Sequence, residues 1–120
     1  MSTSSVPPDT AERAAAIVAG LPLADRIRLV SGRDFWTTET IPGRVPSVLL
    51  ADGPHGVRTF GQSDHAGTSD PLPATCFPTA TTLACTWDPA LLTEIGQALG
   101  REARAEDVAV LLGPGLNVKR

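Results

Sequence analysis

The sequence predicts an α/β fold: a parallel sheet opened by short apolar strands with helices between them, left incomplete within this chain. Three observations predict it. Val48-Leu-Leu-Ala51 is a short, continuously apolar run, the pattern of a parallel strand buried on both faces. Val108 to Leu112 is a later apolar run that ends in Gly113-Pro114-Gly115. Between them, Asp88-Pro89 opens the clearest amphipathic helix of the chain, and strands alternating with helices point to a parallel sheet.

Each element has a local reason. Residues 1 to 8 are a Ser/Thr/Pro tail with no core-forming pattern and are expected to be disordered. Asp9 at an N-cap, with Glu12 three residues on, opens a first helix whose apolar face is Ala14, Ala15, Ile17 and Val18. Gly20 is its stop. A second helix follows with Pro22 near its first position, a stripe of Leu23, Ile27, Leu29 and Val30, and an end at Gly32. Residues 33 to 46 read as a loop, since Pro42-Gly43 and Pro46 disfavour regular structure.

Residues 59 to 75 are a polar loop, and a loop that long is often functional or disordered. Thr81 to Thr86 reads as a second strand. In the helix that follows, Asp88 is the N-cap and Pro89 takes N1. Trp87 is placed to staple onto Leu92. Leu91, Leu92, Ile95, Ala98 and Leu99 form its buried face, and it runs to about Ala105. With Val108–Leu112 the expected order from residue 47 is strand, loop, strand, helix, strand.

Composition narrows the function. At 120 residues the chain is far short of a complete β/α barrel, which needs roughly 250. A net charge of −3 with arginines scattered rather than clustered argues against nucleic acid. No stretch approaches the roughly 18 apolar residues of a membrane span. The N-terminus has neither the basic nor the apolar region of a secretory signal, so the cytoplasm is the expected compartment. Cys76 and Cys85 belong to no zinc-type cluster; their even count admits a disulfide in principle, but they read first as buried, reduced thiols.

The segment Val48-Leu-Leu-Ala-Asp-Gly-Pro-His-Gly-Val-Arg58 carries the strongest functional signal. An acidic residue where a strand stops in a Gly/Pro turn is where α/β barrels place groups that touch substrate. On spacing alone, Asp52 reads first as a turn residue capping its own backbone, and second as a binding carboxylate. Arg58 could pair with Asp52 or stand as a surface charge, and His55 is a lone loop histidine. Ser63-Asp64-His65 has triad residue types, but consecutive residues do not converge as a triad must. His55, Asp64, His65 and Asp70 match no metal spacing. Gly113-Pro114-Gly115 lacks a donor at Pro114 and makes a poor phosphate loop. Glu94, Glu102 and Glu106, among Arg101 and Arg104, read as a solvated helix face.

Four blocks in order resemble the start of glycoside hydrolase family 3, the β-glucosidase group. They are Leu23 to Gly32, Ile41 to Arg58 with its Asp-Gly-Pro-x-Gly-Val-Arg turn, Ala74 to Pro89 with Phe-Pro and Thr-Trp-Asp, and Gly100-Arg-Glu-Ala-Arg104 with Leu112-Gly-Pro-x-x-Asn117. The resemblance implies that residues 9–120 are the N-terminal portion of a truncated (β/α)8 TIM-like barrel. The activity it implies is retaining hydrolysis of terminal, non-reducing β-D-glucosyl residues. Asp52 would bind sugar hydroxyls and Arg58 would support that site. The family's nucleophile and acid/base lie further along, so no residue here is expected to be catalytic. No cofactor or metal is expected. The partners implied are a small carbohydrate, the remainder of the barrel and a following domain. The competing reading is a non-catalytic α/β remnant or a partner-binding module.

Overall fold

The computed structural model describes residues 8–60 and 70–116. The tail expected over residues 1–8 therefore lies, apart from Pro8, outside the described residues, as does most of the loop expected over 59–75. Six elements follow one another: α1 (Pro8–Ala19), α2 (Leu23–Leu29), β1 (Leu49–Asp52), α3 (Ala80–Ala84), α4 (Pro89–Ala105) and β2 (Val108–Leu112). The two strands pair in parallel, with Leu50 opposite Val110, Ala51 opposite Leu111 and Asp52 opposite Leu112. Parallel neighbours need a long crossover, and here α3 and α4 provide it.

The expected strand at Thr81–Thr86 is a helix. Thr79 caps it, its hydroxyl oxygen accepting the Thr82 N–H at 3.3 Å and sharing a 2.9 Å bond with the Thr82 hydroxyl. β-branched residues favour strands only where a pleated, half-buried surface receives them. Here β2 already lies beside β1, so no such place is open between them, and the local cap decides. The described sheet has two strands rather than three.

The other elements start or stop within a residue or two of expectation. Asp88 accepts the N–H groups of Ala90 and Leu91 through one carboxylate oxygen, at 2.9 and 3.1 Å, and Pro89 follows as N1. Trp87, however, is 91% exposed and is not stapled down. Asp9 sits inside the first turn of α1 rather than capping it, and α2 ends at Leu29 instead of running on to Gly32. The loop before β1 is more ordered than expected. It forms antiparallel bridges Gly32–Thr38, Thr37–Leu49 and Ile41–Val45. The Leu50 N–H donates to the Trp36 carbonyl at 2.7 Å and the Thr38 N–H to the Val48 carbonyl at 3.1 Å. β1 is thus covered on both edges, while the outer edge of β2 has no strand partner among the described residues.

The core is small. Ala51, Val57, Ala103 and Val108 form one buried cluster, with Leu49 and Leu111 packed against it. It joins β1, β2 and the C-terminal end of α4. The apolar faces expected on the first two helices are present but uncovered: every described side chain of α1 is exposed, and Leu23 and Ile27 of α2 are 72% and 57% exposed. The α4 face is only half-buried at Leu91, Ile95, Ala98 and Leu99.

So open a surface leaves little burial to oppose chain entropy. The 120-residue chain expressed alone should aggregate or unfold without a sharp transition. Calorimetry of a soluble monomer checks this, and a single cooperative endotherm would contradict it.

Candidate functional site

Asp52 is the last residue of β1 and lies at the C-terminal end of the sheet, where strand ends open into turns. Its carbonyl accepts the Arg58 N–H at 2.8 Å, which folds residues 52–58 back on themselves. Two glycines make this reversal possible. A side chain at Gly53 would run into Leu111 and the Gly56 carbonyl, and Gly56 has φ +152° and stands against the Thr75 carbonyl. Val57 and Thr59 bury inward at 4% and 8% exposure, so alternate residues anchor the turn while the others face out. The Asp52 carboxyl is half-buried and makes no hydrogen bond or ion pair within the described residues. It is not turned inward to cap its own backbone, which was the simpler sequence reading.

A second segment lies across this turn. The Phe77 N–H donates to the His55 carbonyl at 2.7 Å and the Leu72 N–H to the Thr59 carbonyl at 2.9 Å. The Thr75 N–H donates to a Glu102 carboxylate oxygen at 2.8 Å, which ties the segment to α4. Glu102 is therefore a structural tether and not merely part of a solvated face. Helical spacing gave no signal for it, because its partner is 27 residues away in an irregular segment.

Arg58 does not pair with Asp52. Its guanidinium carbon sits 4.9 Å from the centre of the Phe60 ring, within cation–π range. Phe60 in turn meets Trp36 with ring centres 5.4 Å apart and planes tilted by 30°. Trp36 belongs to the turn before β1, which Asp34 organises. One Asp34 oxygen accepts the Trp36 and Thr37 N–H groups at 2.9 and 2.7 Å, and the other accepts the Thr37 hydroxyl at 2.7 Å. The Thr37 hydroxyl, then the backbone donors and Arg33, hold the Asp34 carboxyl down at about 2, below its ordinary 3.8. A cavity of about 250 Å³ is lined on this side by Leu29, Val30, Asp34, Phe35, Trp36 and Leu50. Neither Asp34 nor Trp36 stood out in the sequence as a site residue. An Asp followed two and three residues later by the N–H groups it accepts is an Asx-turn signature, and that signal was available.

Among the described residues, the remaining sequence candidates add no side-chain chemistry to the turn. Ser63, Asp64 and His65 lie outside the described residues. His55 is exposed and contributes only its carbonyl to the packing described above. Among the described residues, no three His, Cys, Asp or Glu side chains come together as a metal site. The N–H of Gly115 donates to the Pro54 carbonyl at 3.4 Å, so this turn uses one of its own donors to brace the Asp52 turn. Cys76 and Cys85 are unpaired, but both are exposed and not buried. They flank or end the short α3, which has no buried residue of its own to cover them.

No family model matches the chain. Comparison with known proteins is nevertheless specific. The chain is 44% identical over 106 residues to thermostable β-glucosidase B of Acetivibrio thermocellus, an alignment spanning 87% of this chain and 14% of that protein. It is 42% identical over 106 residues to an exo-α-(1→6)-L-arabinopyranosidase of Bifidobacterium longum, covering 86% of this chain and 14% of that one. Among solved structures it superposes on a family 3 β-glucosidase of Bifidobacterium adolescentis with TM-score 0.68 and 38% identity, over 85% of this chain and 14% of the enzyme. The chain thus spans about a seventh of the length of these relatives.

Because the Asp34 carboxyl titrates lower in the folded chain than its ordinary 3.8, its contribution to stability is fully present above that pH and is lost as pH falls through about 2. The Thr37 amide proton, followed by NMR during acid titration, should hold its position through pH 3.8 and move near 2. A midpoint at the ordinary carboxylate value would contradict the clamp.

Proposed function

The chain corresponds to the N-terminal part of a family 3 glycoside hydrolase, and from that premise we propose that it supplies the sugar-binding wall of a β-glucosidase-type active site. The observation that carries this is the state of Asp52. It stands at a strand's C-terminal end, on a turn braced by Gly53, Gly56 and the segment from Leu72 to Phe77, with its carboxyl unspent on protein partners among the described residues. A carboxyl group so placed accepts hydrogen bonds from two neighbouring hydroxyls of a sugar. Arg58, held on the face of Phe60, presents donors on the same turn.

The reaction proposed is retaining hydrolysis of terminal, non-reducing β-D-glucosyl residues. In such chemistry one carboxylate attacks the anomeric carbon and forms a glycosyl-enzyme. A second carboxyl group first protonates the leaving oxygen and then draws a proton from water. No carboxyl pair among the described residues is arranged for that work. Glu94, Glu102 and Glu106 lie on or beside α4, and Glu102 is engaged by Thr75. Nucleophile and acid/base are thus proposed to lie outside the described residues, with Asp52 holding the sugar and orienting its anomeric carbon. The rest of the barrel and a following domain are the proposed partners. Their seat would be the uncovered faces of α1, α2 and β2.

The test uses the longest native polypeptide that carries the segment, assayed on aryl β-D-glucosides and aryl α-L-arabinopyranosides. A hydrogen bond to a charged group is worth roughly 1.5–3 kcal/mol, so Asp52→Ala should lower kcat/KM by about 10- to 150-fold for each bond lost. Kinetics near those of the unaltered protein would sink the binding role of Asp52. Preference for the arabinopyranoside would keep the site and replace the sugar.

A further inference from the structure

We infer that Asp34 is a positioning residue: its carboxyl group fixes the Trp36 ring against Phe60 and, through Phe60, sets the place of the Arg58 guanidinium on the Asp52 turn. The inference deepens the glycosidase reading and rests on it for its kinetic arm alone.

The contacts form a continuous chain. Asp34 grips the backbone of Trp36 and Thr37 and the Thr37 hydroxyl at once. The Thr37 carbonyl accepts the Arg33 N–H at 2.9 Å, closing residues 33–37 into a tight loop. The Trp36 carbonyl accepts the Leu50 N–H at 2.7 Å, so the loop is nailed to β1 two residues before Asp52. The Trp36 ring then meets Phe60, and Phe60 carries Arg58. One further observation identifies what sets the ring. The indole Nε1 of Trp36 is buried and has no hydrogen-bond partner among the described residues. A buried donor left unpaired costs free energy, so the ring is not held there by a bond of its own. Its backbone is held, at the N–H by Asp34 and at the carbonyl by Leu50. The Asp34 side chain is only 16% exposed, so its bonds face little competition from water.

The detailed geometry separates a positioning role from a charge effect. Both backbone N–H groups go to the same oxygen, Oδ1, while Oδ2 receives the Thr37 hydroxyl. In Asp34→Asn the amide oxygen can keep both backbone bonds, and the new NH₂ can donate to the Thr37 hydroxyl, which reverses its role, while the 3.6 Å pairing of Oδ2 with the half-exposed Arg33 is given up. In Asp34→Ala all three are lost.

The experiment labels the native polypeptide with 5-fluorotryptophan, assigns the Trp36 resonance by its loss in Trp36→Phe, and follows the Arg58 Nε–H signal alongside. Asp34→Ala should move or broaden both signals and raise KM for an aryl β-D-glucoside about tenfold with kcat changed less than about twofold, the pattern of lost uniform binding. Asp34→Asn should leave signals and kinetics near those of the unaltered protein. Phe60→Leu keeps the Asp34 bonds but removes the ring between Trp36 and Arg58, so it should reproduce the KM increase even if Asp34→Ala does not fold. The inference is overturned by a Trp36 resonance unmoved in Asp34→Ala. It is equally overturned by Asp34→Asn as damaged as Asp34→Ala, or by Phe60→Leu with unchanged KM. If the unaltered protein hydrolyses no glycoside, the glycosidase reading fails by itself, and the two resonances still decide the role of Asp34.

Discussion

The parallel pairing of β1 with β2 is the constraint on which the rest of the structure depends. Only four registered pairs join Leu49–Asp52 to Val108–Leu112. They nevertheless bring together segments more than fifty residues apart and bury Ala51 and Val108 in the one shared core cluster. Because the strands are parallel, both run out at the same end of the sheet, and both end in Gly-Pro turns. The site turn and the second strand-end turn converge there because the ladder places them there. Without it, Asp52 would be a carboxyl group on a loose loop.

Around that ladder, precision comes from backbone hydrogen bonds rather than from a deep core. Glu102 reaches from α4 to Thr75, Phe77 reaches to His55, and Asp34 folds the loop that borders β1. These bonds are directional and local, so they can hold a turn in place where little apolar surface is buried. The same arrangement explains why half-exposed aliphatic side chains coexist with an ordered candidate turn at Asp52, which is held by a framework of backbone bonds.

How far the sequence revealed this can be judged residue by residue. The two true strands were legible because short, continuous apolar runs bounded by Gly and Pro seldom fold any other way, and α4 was legible because Asp88-Pro89 is a strong start signal. Asp52 was legible as a candidate because its place at a strand end is a local property. Thr81–Thr86 misled because β-branched residues were weighed without the cap at Thr79, which decides the helix. Trp87, the α2 stripe and the two cysteines misled for another reason: an apolar side chain predicts burial only when something lies over it, and here little does. Glu102 and the link from Trp36 through Phe60 to Arg58 went unread because each depends on a contact across the fold that spacing along the chain does not encode, whereas Asp34 carries a local Asx-turn signal that was passed over.

The approach of the two strand-end turns has a consequence for how such a chain can change. A side chain at Gly113 would run into the Gly53 backbone, and one at Gly53 would meet Leu111 and the Gly56 carbonyl. Gly113 cannot acquire even a methyl group while the Gly53 backbone stays where it is, whereas a methyl group at Gly53 would have to displace the Leu111 side chain and the Gly56 carbonyl. The second strand-end turn therefore leans on the first: a side chain at Gly113 would push the two strand ends apart and shift the turn that carries Asp52.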